Sequence, residues 1–313
     1  MNKKKANILV TGVSGRLGRF LVKRLHREFN VIGLDRRKTS GLPKDVKHYK
    51  IDIRRNKVED IFRNNKIEAI FHLGVMHNLR QNEQEHHNFN ILGTTKILEY
   101  AEKYKVKKFI FLSSANVYGP KSTNSQFLSE NEPLMAGANF PEIRDLINLD
   151  MLVTSFFWKA PKLDIVILRP AHILGNINNA ASNYLRLAKR IPTIMGFDPM
   201  IQVIHQADLA DALIQSYKLK KATGIFNIAS NGELPLSEII KYMGKKRLAI
   251  PEPMLKIAMS QMWLAKISSF PSQEVNYIKY ICMGDTKRAS EVLQFEPKYS
   301  ITDAIDSLDG LIF

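Results

Sequence analysis

The chain has 313 residues, 45% of them hydrophobic and 24% charged, with a formal net charge of +16 and a single cysteine, Cys282. That length suffices for a large α/β unit or two ordinary domains, and the composition excludes a disordered chain. One cysteine excludes an internal disulfide and a cysteine metal cluster, which fits a reducing cytoplasm.

The opening "MNKKKANILVTGV" has a basic head, but its apolar run is short and flows into a glycine loop, unlike a signal peptide. No stretch is long and apolar enough to suggest a membrane span; the best candidate, "MLKIAMSQMWLAKI", carries two lysines. Residues 1–60 hold seventeen Lys/Arg against six Asp/Glu. Such a face attracts polyanions. No zinc finger, base-reading module or aromatic-interleaved basic stretch accompanies it, so no specific nucleic-acid partner is expected.

Taken in chain order, "NILVTG" (7–12) is a short buried strand, and "RLGRFLVKRLHREF" is helical, with Leu17, Leu21 and Leu25 at spacing four. Further strands are "VIGLD" (31–35), "HYKID" (48–52), "EAIFHLG" (68–74), "KFIFLSS" (108–114) and "LDIVILRP" (163–170), with a helix over 90–104. Continuous apolar strands alternating with helices predict an α/β fold, a doubly wound parallel sheet covered on both faces. A dinucleotide-binding domain is expected over 1–175. Residues 176–313 read as a small C-terminal substrate lobe, interleaved with last sheet strands at "IQVIH" and "GIFNIA". In that lobe "IPTIMGFDPM" and "AIPEPM" read as proline-bearing loops, and "DLADALIQSY", "SEIIKYM" and "DTKRASEVL" as short helices.

"TGVSGRLG" (11–18) sets Gly12, Gly15 and Gly18 between a strand and a helix. The first glycine permits a tight turn, the second lets backbone approach a pyrophosphate, and the third lets helix and strand pack closely. The helix N-terminus then faces the anion. Asp35 ends the next strand, seventeen residues after Gly18, where a carboxylate accepts both ribose hydroxyls and favours NAD. Arg36 and Arg37 follow at once and leave NADP open, since either could pair with a 2′-phosphate.

Together these residues resemble the extended short-chain dehydrogenases/reductases, the NAD-dependent epimerase/dehydratase branch that includes UDP-glucose 4-epimerase. The resemblance runs through "TGVSGRLG", "KIDIRR", "IFHLGVMHN", "NILGT", "SSANVYG", "ILRPAHILG", "IHQADLADA", "GIFNIAS" and "DTKRASEVLQFEP". It implies a Rossmann fold and cofactor contacts at Gly12, Ser14, Gly15, Arg16, Leu17, Gly18, Asp35, Arg36, Asp52, Ile53, Leu73 and Gly74. It also implies a nucleotide-sugar-like substrate and a hydroxyl-polarising Ser114. A homodimer is left open.

The family's chemistry needs a tyrosine as acid/base and a lysine one helical turn later to lower its pKa. From Gly119 to Lys159 there is no tyrosine. With Asp150 as the counterpart of the family's helix acid, the lysine slot falls on Leu146 and the tyrosine slot on Glu142. Glu142 could replace the tyrosine, or be an ordinary first-turn glutamate after Pro141. Tyr118 and His77 are the other candidate proton carriers, each also readable as a packing or loop residue. His172 and His205 read as substrate-lobe or core positions. The expectation is an NAD(P)-binding epimerase/dehydratase-like protein with an incomplete tetrad. Its rivals are a cofactor-bound binding or regulatory protein and, more weakly, an RNA-binding member.

Overall fold

The computed structural model describes residues 5–76, 83–138, 141–177, 179–187, 189–265 and 272–309. Seven parallel strands form the central sheet: β1 (Asn7–Thr11), β2 (Asn30–Asp35), β3 (Lys47–Lys50), β4 (Ile67–His72), β5 (Lys108–Leu112), β6 (Asp164–Pro170) and β11 (Gly224–Ile228). Their order is β11-β6-β5-β4-β1-β2-β3. The chain reverses direction across the sheet between β1 and β4, the switch point where open α/β sheets form a crevice at the strands' carboxyl ends. Three smaller strand pairings complete the set through β7 (His172–Leu174), β8 (Arg190–Ile194), β9 (Met200–Ile201), β10 (Val203–His205), β12 (Leu234–Pro235) and β13 (Lys246–Ile250), with β7, β9 and β8 pairing β10, β12 and β13.

The helices are α1 (Arg16–Leu25), α2 (Glu59–Asn64), α3 (Glu83–His87), α4 (Gly93–Lys103), α5 (Pro141–Lys159), α6 (Ala180–Leu185), α7 (Gln206–Lys218), α8 (Leu236–Tyr242), α9 (Glu252–Leu264), α10 (Lys287–Leu293) and α11 (Ile301–Asp306). Helix α1 buries Gly18, Leu21, Val22 and Leu25 against the sheet, and Lys23 and Arg24 in its last turn suit the negative end of its dipole. One apolar core lies on the α4/α5 face, including Phe109, Phe111 and Phe156; the other lies on the α1/α7 face, including Phe71 and Phe226. A third core, from Leu174 to Leu308, belongs to the C-terminal lobe.

A buried polar pin fixes the carboxyl ends of β1 and β4 at the switch point. The imidazole of His72 lies 2.9 Å from Thr11 Oγ1 and 3.0 Å from Thr94 Oγ1, and Gly74 N–H donates to Thr11 Oγ1 at 3.0 Å. Burial pushes His72 down to about 3, so the ring is neutral and serves as one donor and one acceptor.

Three local expectations are corrected. The third strand stops at Lys50, which leaves Asp52 in the following turn. Two stretches read as proline loops overlap β8 and β13, the second holding only the end of β13, Ala249 and Ile250, and the two strands pair in parallel. Pro192 is tolerated there because each strand of a two-stranded sheet keeps an open edge, where a missing N–H costs no ladder bond. Finally, "VIH" is β10, paired with β7 outside the central sheet, whereas "GIFNI" forms the edge strand β11.

Candidate functional site

A cleft of about 790 Å³ opens over the carboxyl end of the sheet. Its wall brings together Gly12, Ser14, Gly15, Arg16, Leu17, Gly18, Asp35, Arg36, Ile53, Leu73 and Gly74. Gly12 adopts φ +75°, and a Cβ there would sit 2.8 Å from the backbone of Leu73 and Gly74. A Cβ on Gly18 would collide with Gly12 O, so the helix approaches the turn as closely as the glycine spacing requires. Gly12 N–H donates to Leu34 O and Gly15 N–H to Gly12 O, each at 3.0 Å, which closes the turn ahead of α1. Ser14 Oγ is buried without a partner among the described residues. An orphaned hydroxyl in a glycine cradle at a helix N-terminus fits a phosphate oxygen.

Asp35 stands at one end of the cleft. Only 7% exposed, its carboxylate accepts from Ser14 N–H at 3.1 Å and from Arg37 N–H at 2.9 Å. These bonds orient it while leaving further lone-pair sites for hydroxyls. The Arg36 guanidinium stacks over the Phe89 ring, 5.1 Å from its centroid. Phe89 is a cleft residue that sequence reasoning missed, because it lies in a π-helical turn, Asn88–Leu92, with no periodic signal. Asp52 does not line the cleft wall. Both its oxygens meet the Arg54 guanidinium, at 2.7 and 3.0 Å, and Arg54 also forks onto Glu85 at 2.8 Å. Burial pushes the Asp52 carboxyl up, but the bonds and charge of Arg54 outweigh it and hold the group below its usual value.

At the far end the cleft reaches Leu112, where β5 ends, and Ile173 of β7. Ser114 lies just beyond Leu112 and caps the 3-10 turn Ala115–Tyr118, its Oγ accepting Asn116 N–H at 3.1 Å. Tyr118 is placed elsewhere. It is 3% exposed, donates to Asn227 Oδ1 at 2.7 Å and accepts from Arg169 at 2.9 Å. Burial pushes its hydroxyl up, and both bonds tie it into a structural network. That network continues through Arg169 to Asp150, which also accepts from Ser113 Oγ at 2.6 Å. Tyr118 is not among the described residues lining the cleft, and its hydroxyl is committed to Asn227 and Arg169.

Helix α5 begins at Pro141. Glu142 falls in its first turn with a side chain outside the described ones, and His77 lies outside the described residues altogether. Asp150, fixed by Arg169, sets the helix's rotation. One turn earlier Leu146, 8% exposed, packs in the apolar core. Beside it, Asp145 accepts from His86 Nδ1 at 2.6 Å and from His87 Nδ1 at 2.9 Å, tying α3 to α5. Asn90 bridges this cluster to the cleft wall through both backbone groups of Met76. Nothing in the sequence joined these residues, because the contacts are made between helices far apart in the chain.

The model of the NAD dependent epimerase/dehydratase family matches residues 8–229. The UDP-glucose 4-epimerase of Bacillus subtilis is 26% identical over 280 residues, covering 76% of this chain and 81% of that protein. Two solved structures share the fold. A UDP-glucose 4-epimerase from Thermotoga maritima, with UDP-glucose, superposes with a TM-score of 0.75 at 21% identity, over 96% of this chain and 97% of that one. A dTDP-glucose 4,6-dehydratase from Bacillus anthracis, in complex with NAD, gives 0.72 at 16% identity, over 98% and 97%. With a match that runs from β1 to the end of β11, and a glycine cradle that fits the family's cofactor, this chain belongs to the NAD dependent epimerase/dehydratase family.

Proposed function

We propose that the protein binds NAD in this cleft and acts on a nucleotide-sugar-like molecule as an epimerase- or dehydratase-type enzyme with a rewired acid/base site. The observation that carries the reading is the glycine cradle with its orphaned Ser14 hydroxyl, opening on a cleft that runs from Asp35 to the end of β5. A bound NAD would supply reversible hydride chemistry at a hydroxyl-bearing carbon, with no net consumption of the cofactor.

The chain's own residues divide the remaining work. Loop N–H groups and the α1 dipole hold the pyrophosphate, and Asp35 receives the ribose hydroxyls. Ser114 polarises the substrate oxygen. Glu142 is the acid/base of this proposal, and Leu146 offers it no charge, so proton transfer is slower than beside a lysine. The same buried Leu146 favours the second reading, a cofactor-bound protein without turnover.

Self-association belongs to the proposal too: Met151 and Trp158 are 59% and 85% exposed, two turns apart on one face of α5. A cytoplasmic setting completes it. Titrating NAD against thermal stability tests the cofactor reading: a saturable rise supports it, and no rise at millimolar NAD removes it.

A further inference from the structure

Strand β7 has two faces with different surroundings. Ile173 points into the cofactor cleft, whereas His172 and Leu174, on the opposite side, line a second cavity of about 80 Å³. A single strand thus separates the two spaces. None of the described residues lining the second cavity carries a carboxylate, ammonium or guanidinium. Its walls are aliphatic, among them Ala181, Leu185, Val203 and Leu236. The two tyrosines at its edge have committed hydroxyls: Tyr184 donates to Pro192 O and Tyr277 to Asn116 O, at 2.7 and 2.8 Å.

His172 is different. Its ring meets the edge of Tyr277 at 6.5 Å between centroids and has no hydrogen-bond partner among the described residues. Burial pushes it down to about 4, so at neutral pH it is an uncharged imidazole with one donor and one acceptor unused. Asn116, on the same wall, follows Ser114 by two residues and is bonded to its Oγ. The polar end of the cavity therefore adjoins the hydroxyl assigned above to the substrate oxygen.

We propose that this cavity receives an uncharged, mainly hydrocarbon group of the substrate, such as a deoxygenated or acyl-bearing portion, with one hydroxyl or carbonyl oxygen hydrogen-bonded to His172. The proposal rests on the reading of the cleft as a cofactor site and narrows its substrate. A phosphate finds no cationic partner in the cavity and loses its hydration there, so charged groups are disfavoured. A fully hydroxylated ring is disfavoured as well, because the aliphatic wall leaves its extra hydroxyls unpaired.

The test uses ligand-observed NMR on the NAD-saturated protein, with cyclohexanol, myo-inositol and UDP as probes. Saturable binding of cyclohexanol is expected, with myo-inositol at least about tenfold weaker. Ala181→Phe, which fills the cavity, should abolish cyclohexanol binding, and His172→Ala should weaken it several-fold while His172→Asn restores part of it. UDP should leave bound cyclohexanol in place. Three results would overturn the proposal: no saturable binding of cyclohexanol, equal binding by Ala181→Phe, or displacement by UDP. NAD-induced thermal stabilisation, recorded on the same samples, confirms that each variant is folded and reports on the cofactor reading separately.

Discussion

Asp150 and Arg169 form a bidentate ion pair sealed from water, with side chains 0% and 3% exposed and a shortest separation of 2.6 Å. Through Ser113 on one side and Tyr118 and Asn227 on the other, the pair joins β5, α5, β6 and β11 beneath the candidate site. Removing one partner strands a buried charge. Asp150→Ala should cost about 3–5 kcal/mol of stability in urea unfolding. Replacing both, as Asp150→Leu with Arg169→Met, should cost less than the single change, because no charge is left uncompensated.

The cradle makes a sharper prediction about ligand. Ser14→Ala removes only the orphaned hydroxyl and should weaken NAD roughly ten- to a hundredfold, the worth of one charge-assisted hydrogen bond. Gly15→Trp should abolish the NAD-induced rise in Tm, since its indole would occupy the pyrophosphate position. Calorimetric titration of folded variants separates the two effects.

Asp35 governs the choice of cofactor. Its carboxylate, pinned by Ser14 N–H and Arg37 N–H, repels a 2′-phosphate, so NAD should bind more tightly than NADP. Asp35→Ser should narrow that preference by leaving Arg36 and Arg37 to meet the phosphate. Paired Kd values for both dinucleotides decide it.

Acid stability follows from two histidines. His72 and His172 are pushed by burial to about 3 and about 4 in the fold, below the ordinary value of 6.5. The unfolded chain therefore binds more protons than the folded one between those values. Stability should be intact above pH 6.5 and fall as pH drops toward 4, each histidine adding a slope of up to about 1.4 kcal/mol per pH unit. In urea unfolding at pH 7, 6 and 5, His172→Gln should show a shallower fall than wild type. An equal slope would contradict the assignment for His172.

The parts of the site that were legible in the sequence are those built from local order. Gly12, Gly15 and Gly18 announce a turn and helix start because their spacing is a backbone requirement, and uninterrupted apolar strands announce a sheet buried on both faces. What stayed hidden depends on the tertiary fold. The Thr11–His72–Thr94 pin, the Asp145 contacts with His86 and His87, and the stacking of Arg36 on Phe89 join residues with no shared period. Tyr118 read from the sequence as either a proton carrier or a packing residue, and its one-turn helix points it inward to Arg169 and Asn227. His172 read only as a substrate-lobe or core position; the alternation of β7 against two cavities is what separates it from its neighbour Ile173.

The central claim is that the cleft works as an enzyme site without the tyrosine–lysine pair. Its most direct test is NMR-detected exchange of solvent deuterium, or conversion, at the sugar carbons of a nucleotide-sugar panel mixed with NAD-loaded protein, in wild type and in Glu142→Gln. The account predicts slow, NAD-dependent exchange or conversion of at least one member, reduced at least about tenfold in Glu142→Gln with NAD affinity unchanged. NAD bound normally with no exchange or conversion across the panel, or equal rates in the two proteins, would contradict it.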